Sequence, residues 1–140
     1  MKKKYFFIPL LLAGGMTTGY AQTSVLANLN KNYQTGLELL ENEKYVAAAQ
    51  QFKLVEQSRE KPDSQKESNA ELSLLKENAK FYAAVCALEL GNSDAESLFK
   101  NFIKEYPLNP NTTLAYFHVG KAYFAQKNYA KALEWFEKTD

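Results

Sequence analysis

The sequence predicts an all-α fold built from antiparallel helix pairs, and three observations indicate it. Apolar residues recur at helical spacing along much of the chain, as in the run Val25, Leu29, Tyr33, Leu37 and Leu40. No stretch alternates polar and apolar residues as a half-buried strand would. Finally, one pattern of small and aromatic residues occurs three times, which predicts three helix pairs packed in the same way.

The repeated pattern places a small residue on the first helix of each pair and a small residue followed by a ring on the second. On the first helices the small residues are Gly36, Ala84 and Gly120. On the second helices they are Ala48, Ala95 and Ala132, each followed four residues later by Phe52, Phe99 and Phe136. A small side chain lets two backbones approach while the ring fills the adjacent gap. The pattern therefore favours close packing within each pair.

Residues 1–21 have the features of a secretory signal peptide. Lys2–Lys4 form a positive start, a mostly apolar stretch follows, and Gly19 and Ala21 are small residues at the positions that a signal peptidase accepts. We expect cleavage between Ala21 and Gln22 and an exported protein, periplasmic or associated with the outer membrane. The alternative is a retained membrane anchor, for which the apolar stretch is short.

Charge and cysteine content exclude several classes of protein. The chain has 17 basic and 16 acidic residues. Loss of residues 1–21 removes three lysines and no acid, leaving 14 basic and 16 acidic residues and a formal charge of −2. This balance lacks the basic patch that nucleic-acid binding requires. A single cysteine, Cys86, cannot form an internal disulfide, so a chain of this size must be stabilised by packing.

The first helix pair is predicted at 22–58 and is followed by a polar linker at 59–67. The turn between its helices is the polar segment 42–44, and the second helix runs from about Tyr45 to Ser58. The linker has no apolar side chain, which is typical of a solvated connection.

The second pair is predicted at 68–107. Ser68 and Ser93 each begin a Ser-x-x-Glu sequence, the pattern of a capping box at a helix start. Gly91 is expected to end the first helix, and Pro107 to stop the second.

The third pair is predicted at 108–140, with Asn111 as an N-cap and helices at about 112–126 and from 128 onward. Its last helix still carries apolar side chains that nothing later in the sequence covers. We expect either that the array continues in a longer protein or that this end pairs with another copy. The uncovered residues are Leu133, Trp135 and Phe136.

No set of residues predicts catalysis. His118 is the single histidine, and Cys86 lies mid-helix among alanines as a small buried hydrophobe. One histidine and one cysteine do not make a structural zinc site, and no phosphate-binding loop is present. We therefore predict no enzyme activity, no metal and no cofactor.

The small and aromatic pattern resembles the tetratricopeptide repeat, a helix–turn–helix unit of 34 residues. The third copy matches best, whereas the second is one residue short in its turn and the first is followed by the polar linker instead of a proline. Six residues of the third copy fall on the signature positions: Tyr116, Val119, Gly120, Tyr123, Ala132 and Phe136. The resemblance implies a right-handed α-solenoid of about three repeats. The segment from Tyr106 to Pro110 is similar to exported tetratricopeptide proteins that act in outer-membrane assembly and cell-envelope coordination.

The resemblance also implies a concave groove lined by the first helix of each pair. A largely apolar row with one cation would suit an extended or helical segment of a protein partner, although neighbouring helices could cover some positions. The implied groove residues are Tyr33, Leu37, Leu40, Phe81, Val85, Leu88, Phe117, Lys121 and Phe124.

Together these observations predict a non-enzymatic scaffold of the bacterial cell envelope that binds a protein partner on its concave face. Nucleic acid is not expected as a partner, and membrane association is expected only indirectly. Two alternatives stay open at this point: a glycan or small-ligand binder that uses the aromatic row, and a structural repeat that associates with itself.

Overall fold

The computed structural model describes residues 18–59 and 66–139, with side chains from residue 26 in the first range and from residue 69 in the second. The positive and apolar parts of the expected signal peptide, the side chains at its cleavage site and most of the polar linker lie outside the described residues. The described residues form α-helices and no strand. The helices are α1 (Thr18–Glu41), α2 (Tyr45–Glu56), α3 (Lys66–Glu89), α4 (Ala95–Glu105), α5 (Thr112–Ala125) and α6 (Tyr129–Phe136), followed by a 3-10 turn at Glu137–Thr139.

The helices form the predicted all-α array of antiparallel pairs, an α-solenoid. Each helix packs against the next along the chain, so that α1 with α2, α3 with α4 and α5 with α6 make three pairs. The first helices of successive pairs also touch, α1 with α3 and α3 with α5. The pairs are therefore stacked in sequence, and each pair covers part of the one before it.

The predicted contact between small and aromatic residues is confirmed in the first and third pairs. Gly36 lies under the ring of Phe52, so closely that a Cβ atom on the glycine would be 2.7 Å from a ring carbon. Gly120 lies under Phe136 in the same way, and an added Cβ atom would overlap that ring. In the second pair, Ala84 and Phe99 share one core cluster. Each pair thus has a small residue on its first helix and a phenylalanine on its second helix in the core between them.

The turn within each pair is also repeated. Its key residue has a left-handed backbone, at Glu43 (φ 58°), Gly91 (φ 70°) and Lys127 (φ 60°). The next amide donates to a carbonyl five residues earlier, which is the Schellman arrangement of a helix end. These bonds run from Lys44 to Leu39 (2.8 Å), from Asn92 to Ala87 (2.9 Å) and from Asn128 to Tyr123 (2.9 Å). The same backbone hydrogen bonds therefore end the first helix of each pair, although only one of the three left-handed residues is a glycine.

Two helix starts differ from the predictions. Helix α3 begins at Lys66, two residues before Ser68, because Lys66 and Glu67 are themselves good helix formers. At α4 the N-cap is Asp94 with no side-chain cap, so the capping box predicted from Ser93 is wrong. The carboxylate of Glu96 binds Lys100 (2.5 Å) and accepts from the hydroxyl of Tyr123 (2.6 Å) instead of reaching back.

Two aromatic clusters form the core, and Tyr82 of α3 packs against both. One cluster lies between α1, α2 and α3, where the rings of Phe52 and Tyr82 stack at 5.5 Å between centroids. The other lies between α3, α4, α5 and α6, where Phe81 meets Phe99 at 5.9 Å and Phe102 at 5.6 Å. Because one residue of α3 joins the two clusters, the first and second halves of the array share a continuous core.

The loop between α4 and α5 is tied to α3 by a buried asparagine. Asn109, 7% exposed, donates from its amide to Glu77 (3.0 Å) and Asn78 (3.2 Å) of α3. Its side-chain oxygen accepts from the amide of Asn111 (2.9 Å). Asn111 occupies the N-cap position of α5, as predicted. Its side chain donates to Asn78 (3.0 Å) and makes no capping hydrogen bond to the first turn of the helix. These bonds fix the third pair against the second.

Candidate partner-binding surface

In the first two pairs, the predicted groove row lies largely within the core. Phe81 is only 2% exposed, so its ring is not available to a partner in this arrangement. Tyr33 is half-buried, with its ring 6.0 Å from that of Phe52 and 6.1 Å from that of Tyr82. This burial raises the pKa of the Tyr33 hydroxyl to about 12. Both rings contribute to the stability of the stack.

The four aliphatic residues of the row have an intermediate position. Each is half-buried and packs with one side against a core cluster, so only its other side reaches solvent. Leu37 and Leu40 pack on the first cluster, and Val85 and Leu88 on the second. They can supply the floor of a groove but not side chains that project into a partner.

The part of the row on α5 is exposed. Phe117 is 45% exposed and Phe124 is 59% exposed, and Lys121 between them is also at the surface. The Lys121 ammonium lies 3.6 Å from the carboxylate of Glu89, an exposed pair that is weak in water. Leu114, which was not among the predicted groove residues, is 49% exposed and continues the row by one turn. Its spacing of three residues before Phe117 was the available signal.

Helix α6 extends this surface around the end of the array. Tyr129 is 58% exposed and its ring meets that of Phe124 edge-on at 5.3 Å, while Leu133 is 59% exposed. Phe136 is half-buried, with its ring 5.6 Å from that of Phe117. We call this surface the terminal face. It consists of Phe117, Phe124, Tyr129, Leu133 and Phe136.

The uncovered end predicted from the sequence is only partly as expected. Leu133 is exposed, but Trp135 is half-buried and belongs to another contact. Its ring lies 6.0 Å from that of Tyr116, and the ammonium of Lys138 lies 4.0 Å from its centre. The lysine covers the indole, and so Trp135 contributes little to the exposed apolar surface.

A polar cluster holds α4, α5 and α6 together beside the terminal face. Lys100 donates to Glu96 (2.5 Å) and to the hydroxyl of Tyr123 (3.0 Å), and its ammonium lies 5.4 Å from the centre of Trp135. Hydrogen bonds from Lys100 and Tyr123 hold the pKa of the Glu96 carboxyl below its usual value. The cluster is satisfied internally, which indicates a structural role.

The thiol of Cys86 and the imidazole of His118, the side chains most able to react or to bind a metal, are both largely buried. Cys86 is fully buried, and burial raises the pKa of its thiol to about 11, so the thiolate that reacts with substrates or metals is not formed at neutral pH. His118 stacks on Phe99 at 5.0 Å between ring centres, and its buried Nδ1 atom has no hydrogen-bond partner. Burial, with help from Lys121, lowers the pKa of the imidazole.

Within the described ranges of the chain, no group of three or more His, Cys, Asp or Glu side chains could hold a metal ion. The helices described there are too short or too polar to span a bilayer.

Stacked antiparallel pairs, a repeated Schellman turn and a repeated contact between a small residue and a phenylalanine define a helical repeat protein. Residues 91–140 match the family profile described as tetratricopeptide repeat. The match covers the second turn, α4 and the third pair, the part of the sequence with the closest resemblance to the family signature. The curated proteins and the solved structures give no significant match to the chain.

Proposed function

We propose that this protein is an exported, non-catalytic binding module that holds a segment of another protein on the exposed row of α5. Tetratricopeptide repeats generally mediate interactions between proteins, and their extended surfaces suit this use. One observation supports this location most strongly. At equivalent positions of successive pairs, Phe81 is 2% exposed and Phe117 is 45% exposed.

The exposed row has the composition of a protein-binding surface. Leu114, Phe117 and Phe124 offer apolar area that water leaves on binding, and aromatic rings are frequent in the energetically important centres of interfaces. Lys121 lies between the two phenylalanines and is only weakly paired with Glu89. A partner carboxylate at this point would compete with Glu89 and orient the bound segment.

The cell-envelope location is the second part of the proposal. It is supported by the charged start, apolar stretch and small residues of 1–21, and by the resemblance of residues 106–110 to exported tetratricopeptide proteins. We expect the exported form to begin at Gln22. Intact-mass measurement of the protein recovered from the periplasm of a bacterial host tests this, and recovery of an uncleaved cytoplasmic chain would contradict it.

The binding role is tested by affinity capture from cell-envelope extract with the chain from Gln22 as bait. We expect Phe117→Ala combined with Phe124→Ala to lower capture of the main partner at least about tenfold, because two aromatic contacts are lost. The matched control is Val46→Ala with Leu54→Ala, which removes two exposed apolar side chains from α2. Quantitative mass spectrometry of the eluates measures the effect, and circular dichroism checks that helical content is kept. Equal capture by both double variants would reject this surface.

A further inference from the structure

The two interior interfaces between pairs use the same arrangement of three rings. In the first, Tyr33 of α1 contacts Phe52 of its own pair at 6.0 Å and Tyr82 of the next pair at 6.1 Å. In the second, Phe81 of α3 contacts Phe99 of its own pair and His118 of the next pair, both at 5.9 Å. In each case the third ring comes from the first helix of the following pair. The following helix therefore covers the groove-row residue, with α3 over Tyr33 and α5 over Phe81.

The covering helices carry the same stripe of side chains. The stripe has four members. Counted from its first residue as position 1, small residues stand at positions 1, 5 and 8 and a ring stands at position 4. This spacing places all four on one face of a helix. On α3 the stripe is Ala79, Tyr82, Ala83 and Cys86, and on α5 it is Ala115, His118, Val119 and Ala122. In both helices the first and last members are buried, so the stripe is the contact surface of the helix.

The terminal face repeats the receiving half of this interface. Phe117 and Phe136 take the places of Phe81 and Phe99, with their rings 5.6 Å apart. Among the described residues, no third ring from a following pair completes the set. The other three residues of the terminal face, Phe124, Tyr129 and Leu133, are each more than half exposed, and the rings of Phe124 and Tyr129 touch. The terminal face therefore continues, at the surface, the interface already formed twice inside the molecule.

We propose that the terminal face binds an α-helix of a partner protein that carries this stripe: small, ring, small, small at positions 1, 4, 5 and 8. The proposal rests on the binding role proposed above and specifies the chemistry of the partner. The ring would enter beside Phe117 and Phe136, as Tyr82 and His118 do in the interior. The small residues would let the partner helix approach α5 and α6 closely.

A second copy of this chain fits the terminal face poorly. The stripes of α3 and α5 are already used inside the array, and releasing one would disrupt a core cluster. At the equivalent positions α1 has only polar side chains, of which three are exposed and Thr35 is half-buried. These residues are Lys31, Gln34, Thr35 and Glu38. No described helix of a second copy therefore offers a free stripe, and we assign the occupant to a helix of a partner protein.

The test uses a peptide as the partner helix and the intact chain from Gln22 as receptor. The peptide has the sequence of residues 74–91 with Cys86→Ala, and a lactam bridge on its polar face keeps it helical, since isolated helices of this length are marginal. Binding is measured by isothermal titration, and its location by NMR shifts of the labelled chain. We expect shifts confined to α5 and α6.

Matched variants define the expected result. Leu133→Ser should weaken binding at least about tenfold, because an exposed leucine that becomes buried contributes roughly one to two powers of ten in affinity. Leu54→Ser, an exposed leucine on α2, should leave binding unchanged. In the peptide, replacing the residue equivalent to Tyr82 by serine should also weaken binding about tenfold or more.

Several outcomes would overturn the proposal. These are no binding, equal binding to Leu133→Ser and the wild type, shifts throughout both core clusters, or a dimer in sedimentation that Leu133→Ser abolishes. The capture experiment and the peptide experiment test the two proposals separately. If Phe117→Ala with Phe124→Ala lowers partner capture while the peptide does not bind, the binding role stands and the helix stripe is rejected. If the peptide binds while capture is unchanged, the role on α5 and the assignment of a partner protein to the terminal face are both rejected, because Phe117 and Phe124 belong to both surfaces.

Discussion

Helices α3 and α5 hold equivalent places in successive pairs, yet they present opposite environments to the same residue type. Phe81 on α3 is surrounded by Tyr82, Phe99, Phe102 and His118, whereas Phe117 on α5 contacts Phe136 and His118 and remains 45% exposed. The difference lies in the following helix and not in the residue. In a stack of this kind, each pair's exposed surface is decided by its neighbour.

The largest expected effect comes from truncating the two equivalent phenylalanines. Phe81→Ala should lower the free energy of unfolding by about 3–5 kcal/mol, because a fully packed ring is replaced by a cavity. Phe117→Ala should cost about 1 kcal/mol, since much of its ring already faces water. Urea denaturation followed by circular dichroism measures both. Similar losses for the two variants would show that the terminal face is covered in solution.

A smaller effect is expected from the pH dependence of His118, whose ring completes the interior contact that the terminal face lacks. Its pKa is lowered in the folded chain, chiefly by burial, so below about pH 6.5 the unfolded chain binds a proton that the folded chain does not. The free energy of unfolding should therefore fall as the pH drops below that value, until the folded pKa is reached. His118→Phe keeps a ring on Phe99 and should remove this part of the loss.

The comparison between wild type and His118→Phe is needed because other groups titrate as well. Hydrogen bonds from Lys100 and Lys80 lower the pKa of Glu96 and Glu105, while burial raises that of Glu56. These contributions are common to both proteins and cancel in the difference. Denaturant unfolding from about pH 8 to about pH 5 measures it. Parallel curves for the two proteins would mean that His118 is as easily protonated folded as unfolded.

Much of the fold could be predicted from the sequence because its determinants are local. Gly36 with Phe52 and Gly120 with Phe136 are contacts within one pair, and the spacing along the chain is enough to indicate them. The left-handed residue Gly91 is likewise visible as a glycine after an apolar run. At Glu43 and Lys127 the same turn has no glycine, and only the backbone hydrogen bonds reveal it.

The candidate binding surface was harder to predict because exposure depends on contacts between pairs. Phe81 and Phe117 occupy the same position of the repeat, and nothing in either local sequence indicates that one is buried and the other exposed. The failed capping box has a similar cause, since the partners of Glu96 include Tyr123 on another helix. The role of Asn109 is also invisible locally, because its partners Glu77 and Asn78 lie more than thirty residues away along the chain.

The tie made by Asn109 has a mechanical consequence. The loop before α5 is fastened to Glu77 and Asn78 of α3, and Thr112 at the start of α5 donates to the carbonyl of Tyr106 (2.7 Å). A force on α5 therefore acts on α3 through the side-chain bonds of Asn109 as well as through α4. Under tension we expect the second and third pairs to move together.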